Sequence, residues 1–191
     1  MKFNEWFISR LIVNRFPLPA EILKADYKYI INVSDEHISY CHDAAMEAGI
    51  KYFWFPMNEC TGDIGLNSLY AALQILWQAE QEKAKVLLHC HAGVNRSPTV
   101  RDAYYFLRTK KHREVIVFDE EAEERLAEWL NIGKSINGKN NRLLENIEQG
   151  HLPSIRKLES FLVHCETQFK KEETHRGGGL DWCKLKAEIH T

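Results

Sequence analysis

No uninterrupted apolar stretch in these 191 residues approaches the roughly 20 that a membrane-spanning helix needs. A secretory leader is lacking from the same reading: Glu5, Arg10 and Arg15 break up the apolar residues near the start, so no signal peptide is expected. Cysteine is sparse and odd in number. The five thiols, Cys41, Cys60, Cys90, Cys165 and Cys183, are scattered along the chain, which argues against a secreted disulfide framework. Charge of one sign is also missing. Twenty-five Lys and Arg face 27 Asp and Glu, and the net charge of −2 gives no overall pull toward nucleic acid or an anionic membrane. There is no internal repeat. Together these absences lead to the expectation of a cytoplasmic protein.

Hydrophobic residues make up 45% of the chain, enough for a substantial core. The length suits one domain over residues 1–169, with a core at about 6–108, a helical C-terminal part at about 119–169, and a flexible tail at 170–191 that contains Gly177-Gly178-Gly179. Residues Trp6–Val13 suit an edge strand. Strands are expected at Tyr27–Val33, Lys51–Phe55 and Val86–Cys90. Helices are expected at Ala20–Ala25, Ile38–Ala48, Leu66–Gln81 and Ser97–Arg108, then from Asp119 to about Ile132, at Asn141–Gln149 and at Ser154–Phe169. Leu66, Leu69, Leu73, Leu76 and Trp77 recur near helical spacing and should pack on a sheet. Strands alternating with helices imply an α/β fold: a mainly parallel sheet of about four to five strands flanked by helices.

One stretch organises the rest: Val86-Leu87-Leu88-His89-Cys90-His91-Ala92-Gly93-Val94-Asn95-Arg96-Ser97-Pro98-Thr99. A buried strand runs into a tight loop, and the loop into a helix start. Such a loop turns several backbone N–H groups toward one point, and the helix dipole adds positive potential there. Gly93 lets the chain curl closely. Arg96 offers a planar fork suited to two oxygens of a phosphate. Cys90 sits at the mouth of this field, which favours the thiolate, and a thiolate facing a bound phosphoryl group can attack phosphorus.

In this setting His89-Cys90-x5-Arg96-Ser97 resembles the signature of the protein tyrosine phosphatase superfamily. The fuller form, His-Cys-x-Ala-Gly-x-x-Arg-Ser-Pro-Thr, is most similar to its small dual-specificity branch, and Ile31-Asn32-Val33-Ser34 resembles a Leu-Asn-Val-Ser segment of that branch. The resemblance covers residues 6–108. It implies a cysteine-dependent phosphatase fold and hydrolysis of phosphotyrosine, with phosphoserine and phosphothreonine as further substrates, through a phosphocysteine and without cofactor or metal. It implies Cys90 as nucleophile and Arg96 with the backbone of His91, Ala92, Gly93, Val94 and Asn95 as the phosphate cradle. Ser97 would assist departure of the thiolate, or cap the helix. His89 would orient the loop and tune the thiolate.

The family's general acid lies about thirty residues before the Cys. Two candidates stand in Pro56-Met57-Asn58-Glu59-Cys60-Thr61-Gly62-Asp63-Ile64: Glu59 by register from Pro56, and Asp63 by residue type. Asn95 occupies a position where dual-specificity enzymes usually have Ser, and it is similar in this to RNA 5′-phosphatases, which keeps nucleic acid as an alternative substrate beside phosphorylated protein. A phosphate-recognition module that has lost catalysis is the other alternative. Cys60, in the acid loop, could protect Cys90 by a disulfide. The alternation His89-Cys90-His91 does not make a metal site, since these side chains diverge and no partner pair has ligand spacing. The run Arg108–Arg113 reads as a solvated helix end, or else as a docking patch for acidic or phosphorylated partners. Oligomeric state is left open.

Overall fold

A computed structural model of the chain describes residues 1–58, 65–111, 146–147 and 149–175. Four strands form one parallel sheet: β1 (Leu11–Asn14), β2 (Tyr29–Asn32), β3 (Lys51–Trp54) and β4 (Val86–His89), in the spatial order β1-β4-β2-β3. Between and around them lie α1 (Phe3–Ser9), α2 (Pro19–Leu23), α3 (Ser39–Glu47), α4 (Leu66–Gln81), α5 (Arg96–Thr109) and α6 (Ile155–His175).

Alternation along the strands divides the core into two layers. Ile30 and Leu87 face α2 and α3, joining Ile22, Ile38, Cys41, Ala44, Ala45 and Ile50. Leu11, Tyr29, Ile31, Val86 and Leu88 point the other way and pack with residues of α1, α4, α5 and α6. This is the period-two consequence of pleated strands. With helices on both faces, β4 is apolar over Val86, Leu87 and Leu88, and all four of its residues, His89 included, are buried. On α4, Leu69, Leu73, Leu76 and Trp77 are buried as their spacing requires, and Leu66 is half-buried.

Three sequence expectations change. Trp6–Val13 is not one strand. Phe3–Ser9 is a helix that buries Trp6 and Phe7, and only Leu11–Asn14 joins the sheet, at its edge. Helix α6 does not stop at Phe169 but continues to His175. Its last turns are tied to α4, where Gln74 Nε2 donates to Glu172 Oε2 at 2.8 Å and Trp77 Nε1 donates to Glu173 Oε1 at 2.6 Å. Arg108 is not a solvated helix end. It makes two 2.8 Å bonds to Glu80 and lies 4.5 Å over the Trp77 ring, so it joins α5 to α4. The helix expected from Asp119 to about Ile132, most of Asn141–Gln149, His112 with Arg113, and the tail beyond 175 lie outside the described residues.

The register decides where chemistry can occur. Asn14, His89, Asn32 and Trp54 are paired partners across the sheet, so all four strands end in one row. The segments that leave this row gather at the carboxyl edge, where open α/β sheets bind ligands.

Candidate active site

The loop after β4 curls back onto its own first residue. The Gly93 N–H points at Cys90 Sγ, 3.3 Å away, and Ser97 Oγ donates to the same sulfur at 3.3 Å. Cys90 is 2% exposed, at the base of a loop whose His91 and Ala92 are exposed and whose Gly93, Val94 and Asn95 are half-buried. Two donors aimed at one sulfur stabilise negative charge that gathers on it when it departs as a leaving group. The helix begins at Arg96, with Asn95 as its N-cap residue and no side-chain cap bond. Ser97 is therefore inside the first turn and is not the helix cap. Its hydroxyl is turned to the sulfur instead. Pro98 falls in that same turn, where a missing N–H leaves no helical bond unmade.

Gly93 is required by contact as well as by conformation. Its φ is +74°, and a Cβ there would meet the Asn14 carbonyl carbon and the Arg15 nitrogen at 2.5 Å. The loop is thus pressed against the end of β1. A second tie is the Phe16 N–H, which donates to the His91 carbonyl at 3.2 Å.

Arg96 is 5% exposed and is oriented by two other strand ends. Its Nη1 donates to Asp35 Oδ1 at 2.5 Å, after β2, and to the Met57 carbonyl at 3.2 Å, after β3. The guanidinium holds the Asp35 carboxyl below the usual carboxylate range. Asp35 is set by the turn before it: buried Asn32 accepts from the Ser34 N–H at 2.8 Å and donates to the Glu36 carbonyl at 3.0 Å and to Tyr52 Oη at 3.0 Å.

His89 is fully buried, and burial pushes its imidazole down to about 4, so the ring is neutral near pH 7. Its Nδ1 lies 3.3 Å from the Cys90 carbonyl oxygen, which fixes the proton on Nδ1, and Nε2 has no hydrogen-bond partner among the described residues. The ring therefore holds the Cys90 backbone rather than contributing charge.

At the far side of the loop, Asn146 is 1% exposed and donates through Nδ2 to Asn95 Oδ1 and to Thr99 Oγ1, each at 2.8 Å. The Thr99 hydroxyl donates in turn to the Asn95 carbonyl at 2.9 Å, and His151 Nδ1 stands 3.1 Å from Asn146 Oδ1.

The structure thus brings together Cys90, the 91–95 backbone, Arg96, Ser97 and His89. Glu59, Cys60 and Asp63 lie outside the described residues. Asp35 and Asn146 contact residues of this loop and helix start, and sequence reasoning missed both. Asp35 directly follows the Asn-Val-Ser segment, and that adjacency was a usable signal. Asn146 gave none, being 51 residues beyond its partner. Among the described residues no group of three His, Cys, Asp or Glu side chains could hold a metal ion, and no helix is long and apolar enough to cross a membrane.

Residues 15–131 match the sequence model of the family described as "Dual specificity phosphatase, catalytic domain". Among curated proteins, dual specificity protein phosphatase 5 of Rattus norvegicus is 38% identical over 65 residues, 34% of this chain and 16% of that protein. Its Homo sapiens counterpart is 35% identical over 71 residues, 37% of this chain and 18% of that protein. The match therefore spans less than a fifth of the length of these relatives. Among solved structures, that of Tk-PTP in the active form aligns with a TM-score of 0.52 at 20% identity, over 75% of this chain and 92% of that one. The structure of DUSP15 aligns with a TM-score of 0.51 at 15% identity, over 88% and 92%. At such identities the likeness is one of fold.

Proposed function

The chain belongs to the dual specificity phosphatase catalytic-domain family, and from that premise we propose that it hydrolyses phosphomonoesters on proteins, phosphotyrosine first and phosphoserine or phosphothreonine second, by way of a phosphocysteine. The observation that supports this most directly is the pair of 3.3 Å donors, Gly93 N–H and Ser97 Oγ–H, converging on Cys90 Sγ at the mouth of α5. On this reading the protein works in the cytoplasm, where thiols stay reduced.

On this reading the chemistry runs in two steps. A lone pair of the Cys90 thiolate attacks phosphorus, and the bond from phosphorus to the leaving oxygen breaks. Arg96 and the loop amides stabilise the equatorial oxygens as charge builds on them. The leaving oxygen takes a proton from a general acid, for which Glu59 and Asp63 are the candidates. Water then attacks phosphorus and gives its proton to the carboxylate left by the general acid, the P–S bond breaks, and the electron pair returns to sulfur, where the Ser97 hydroxyl and Gly93 amide stabilise it by hydrogen bonding. Each residue in this account holds, donates or attacks, and no step calls on a cofactor.

The test is hydrolysis of p-nitrophenyl phosphate and of phosphotyrosine peptides with chelator present. Cys90→Ser should abolish turnover and retain phosphate binding, and equal activity in that variant would overturn the proposal. Glu59→Gln and Asp63→Asn should differ on the acidic limb of the pH–rate profile. If neither affects a substrate with a poor leaving group, neither is the acid.

A further inference from the structure

Beside the Cys90 loop opens a pocket of about 260 Å3, lined by Phe16, Glu36, His37, Ser39, Tyr40 and His91, with Ile38 at its floor. It is continuous with the site at two points in the chain. His91 directly follows the nucleophile, and Glu36 directly follows the Asp35 that holds Arg96.

Its walls are set in advance. The Phe16 N–H bonds the His91 carbonyl, and the two rings meet nearly edge to face at 5.0 Å between centroids. On the other side the Glu36 carbonyl accepts from Asn32 Nδ2 at 3.0 Å, and the His37 ring packs 5.1 Å from the Trp54 ring. A pocket so fixed loses little conformational freedom when it takes a ligand.

Its charge is of one sign. With histidines counted neutral, Glu36 carries the single formal charge of the lining, and its side chain is 68% exposed. The imidazole nearest to it, His91 Nδ1, stands at 4.0 Å. Asp35, the residue before Glu36, is not part of the lining and is paired with Arg96. Arg15, on the same turn as Phe16, is directed to Glu21 at 3.3 Å and to the Phe16 carbonyl at 2.8 Å. An exposed carboxylate among the rings of Phe16, His37 and Tyr40 suits a flat, weakly hydrated cation that can ion-pair and stack together. A second phosphate would instead face the exposed Glu36 carboxylate.

We propose that this pocket receives a basic side chain, arginine in preference to lysine, from a residue neighbouring the phosphorylated one in a protein substrate. The proposal rests on the protein-phosphatase reading above and adds substrate selection to it.

The experiment uses the full chain and matched phosphotyrosine peptides that carry Arg, Ala or Asp in turn at the residues on either side of the phosphotyrosine. At one of these positions at least, kcat/KM for the Arg peptide should exceed that for the Asp peptide by about fivefold, the size expected of a partly exposed ion pair with a ring contact. Added salt should narrow the gap. Glu36→Gln should remove the preference and Glu36→Lys should reverse it. The ratio of two peptides on one enzyme preparation is unaffected by any loss of folded protein in a variant. p-Nitrophenyl phosphate has no neighbouring residue, so it reports the chemistry alone. If the wild-type chain fails to hydrolyse it and every peptide, the phosphatase reading falls. If it is hydrolysed but the peptides are not distinguished, or Asp or a second phosphate is preferred, or a short-chain phosphoinositide is used better than any peptide, the pocket assignment falls and the phosphatase reading stands.

Discussion

Asn146 donates to Asn95 Oδ1 at 2.8 Å, and this bond ties the C-terminal part of the chain to the last residue of the phosphate loop. The same amide group reaches Thr99, and its oxygen faces His151. Removing the side chain takes one hydrogen bond from the half-buried Asn95 and one from the buried Thr99. Asn146→Ala should cost about 1–3 kcal/mol, read as a melting temperature lowered by several degrees. Turnover of p-nitrophenyl phosphate should also fall, because the loop loses its outer tether. Unchanged stability and turnover would show that the loop holds its shape without it.

Gly93 meets the backbone of Asn14 and Arg15 with no room for a methyl group. Backbone atoms cannot swing aside as a side-chain tip can. Gly93→Ala should push the loop away from β1, move the Gly93 N–H off the Cys90 sulfur, and lower kcat/KM by more than about tenfold, since strain of this kind is worth about 1–3 kcal/mol even before the sulfur loses a donor. Steady-state kinetics together with phosphate titration would check it, and phosphate should bind more weakly as well.

Asp35 orients Arg96 through one oxygen. Asp35→Ala deletes that acceptor and frees the guanidinium to rotate, so KM should rise several-fold with a smaller change in kcat. Asp35→Asn keeps an acceptor oxygen in place and should restore most of the loss. A result in which Asn behaves like Ala would assign the effect to charge rather than to orientation.

His89 gives stability a pH dependence with a definite sign. Its imidazole is near 4 when folded and takes its ordinary value of 6.5 when the chain is unfolded. Between those values the unfolded chain binds more protons, so acid favours unfolding. The contribution is present above pH 6.5 and is lost as the pH falls toward 4, on the order of 3 kcal/mol across that window. Urea unfolding at a series of pH values should show the decline. His89→Asn, which keeps a side-chain N–H donor, should flatten it, even if its stability at pH 7 is lower.

Much of this was written plainly in the chain. The apolar run Val86–Leu88 reads as a buried strand and is one, and Cys90-x5-Arg96 lies between that strand and a helix start, as the residues predict. The same local logic went wrong where tertiary packing overrode it. Trp6 and Phe7 look compatible with a strand, yet the core beneath α5 takes them from a helix. Arg108 looks like a solvated end until Glu80 and Trp77, a whole element away, are brought against it.

The sequence by itself determined which atoms can do chemistry, because a thiol, a guanidinium and a hydroxyl at those spacings on a strand–loop–helix are held by local backbone geometry. Only the tertiary structure decided what aims them. Asp35, Met57, Asn14 and Asn146 reach the loop from four separate segments, and their proximity depends on parallel strands ending in one row and on the C-terminal part folding back. Contacts between residues far apart in the chain leave no periodic trace in it, since nothing in the local backbone encodes which distant side chain will arrive.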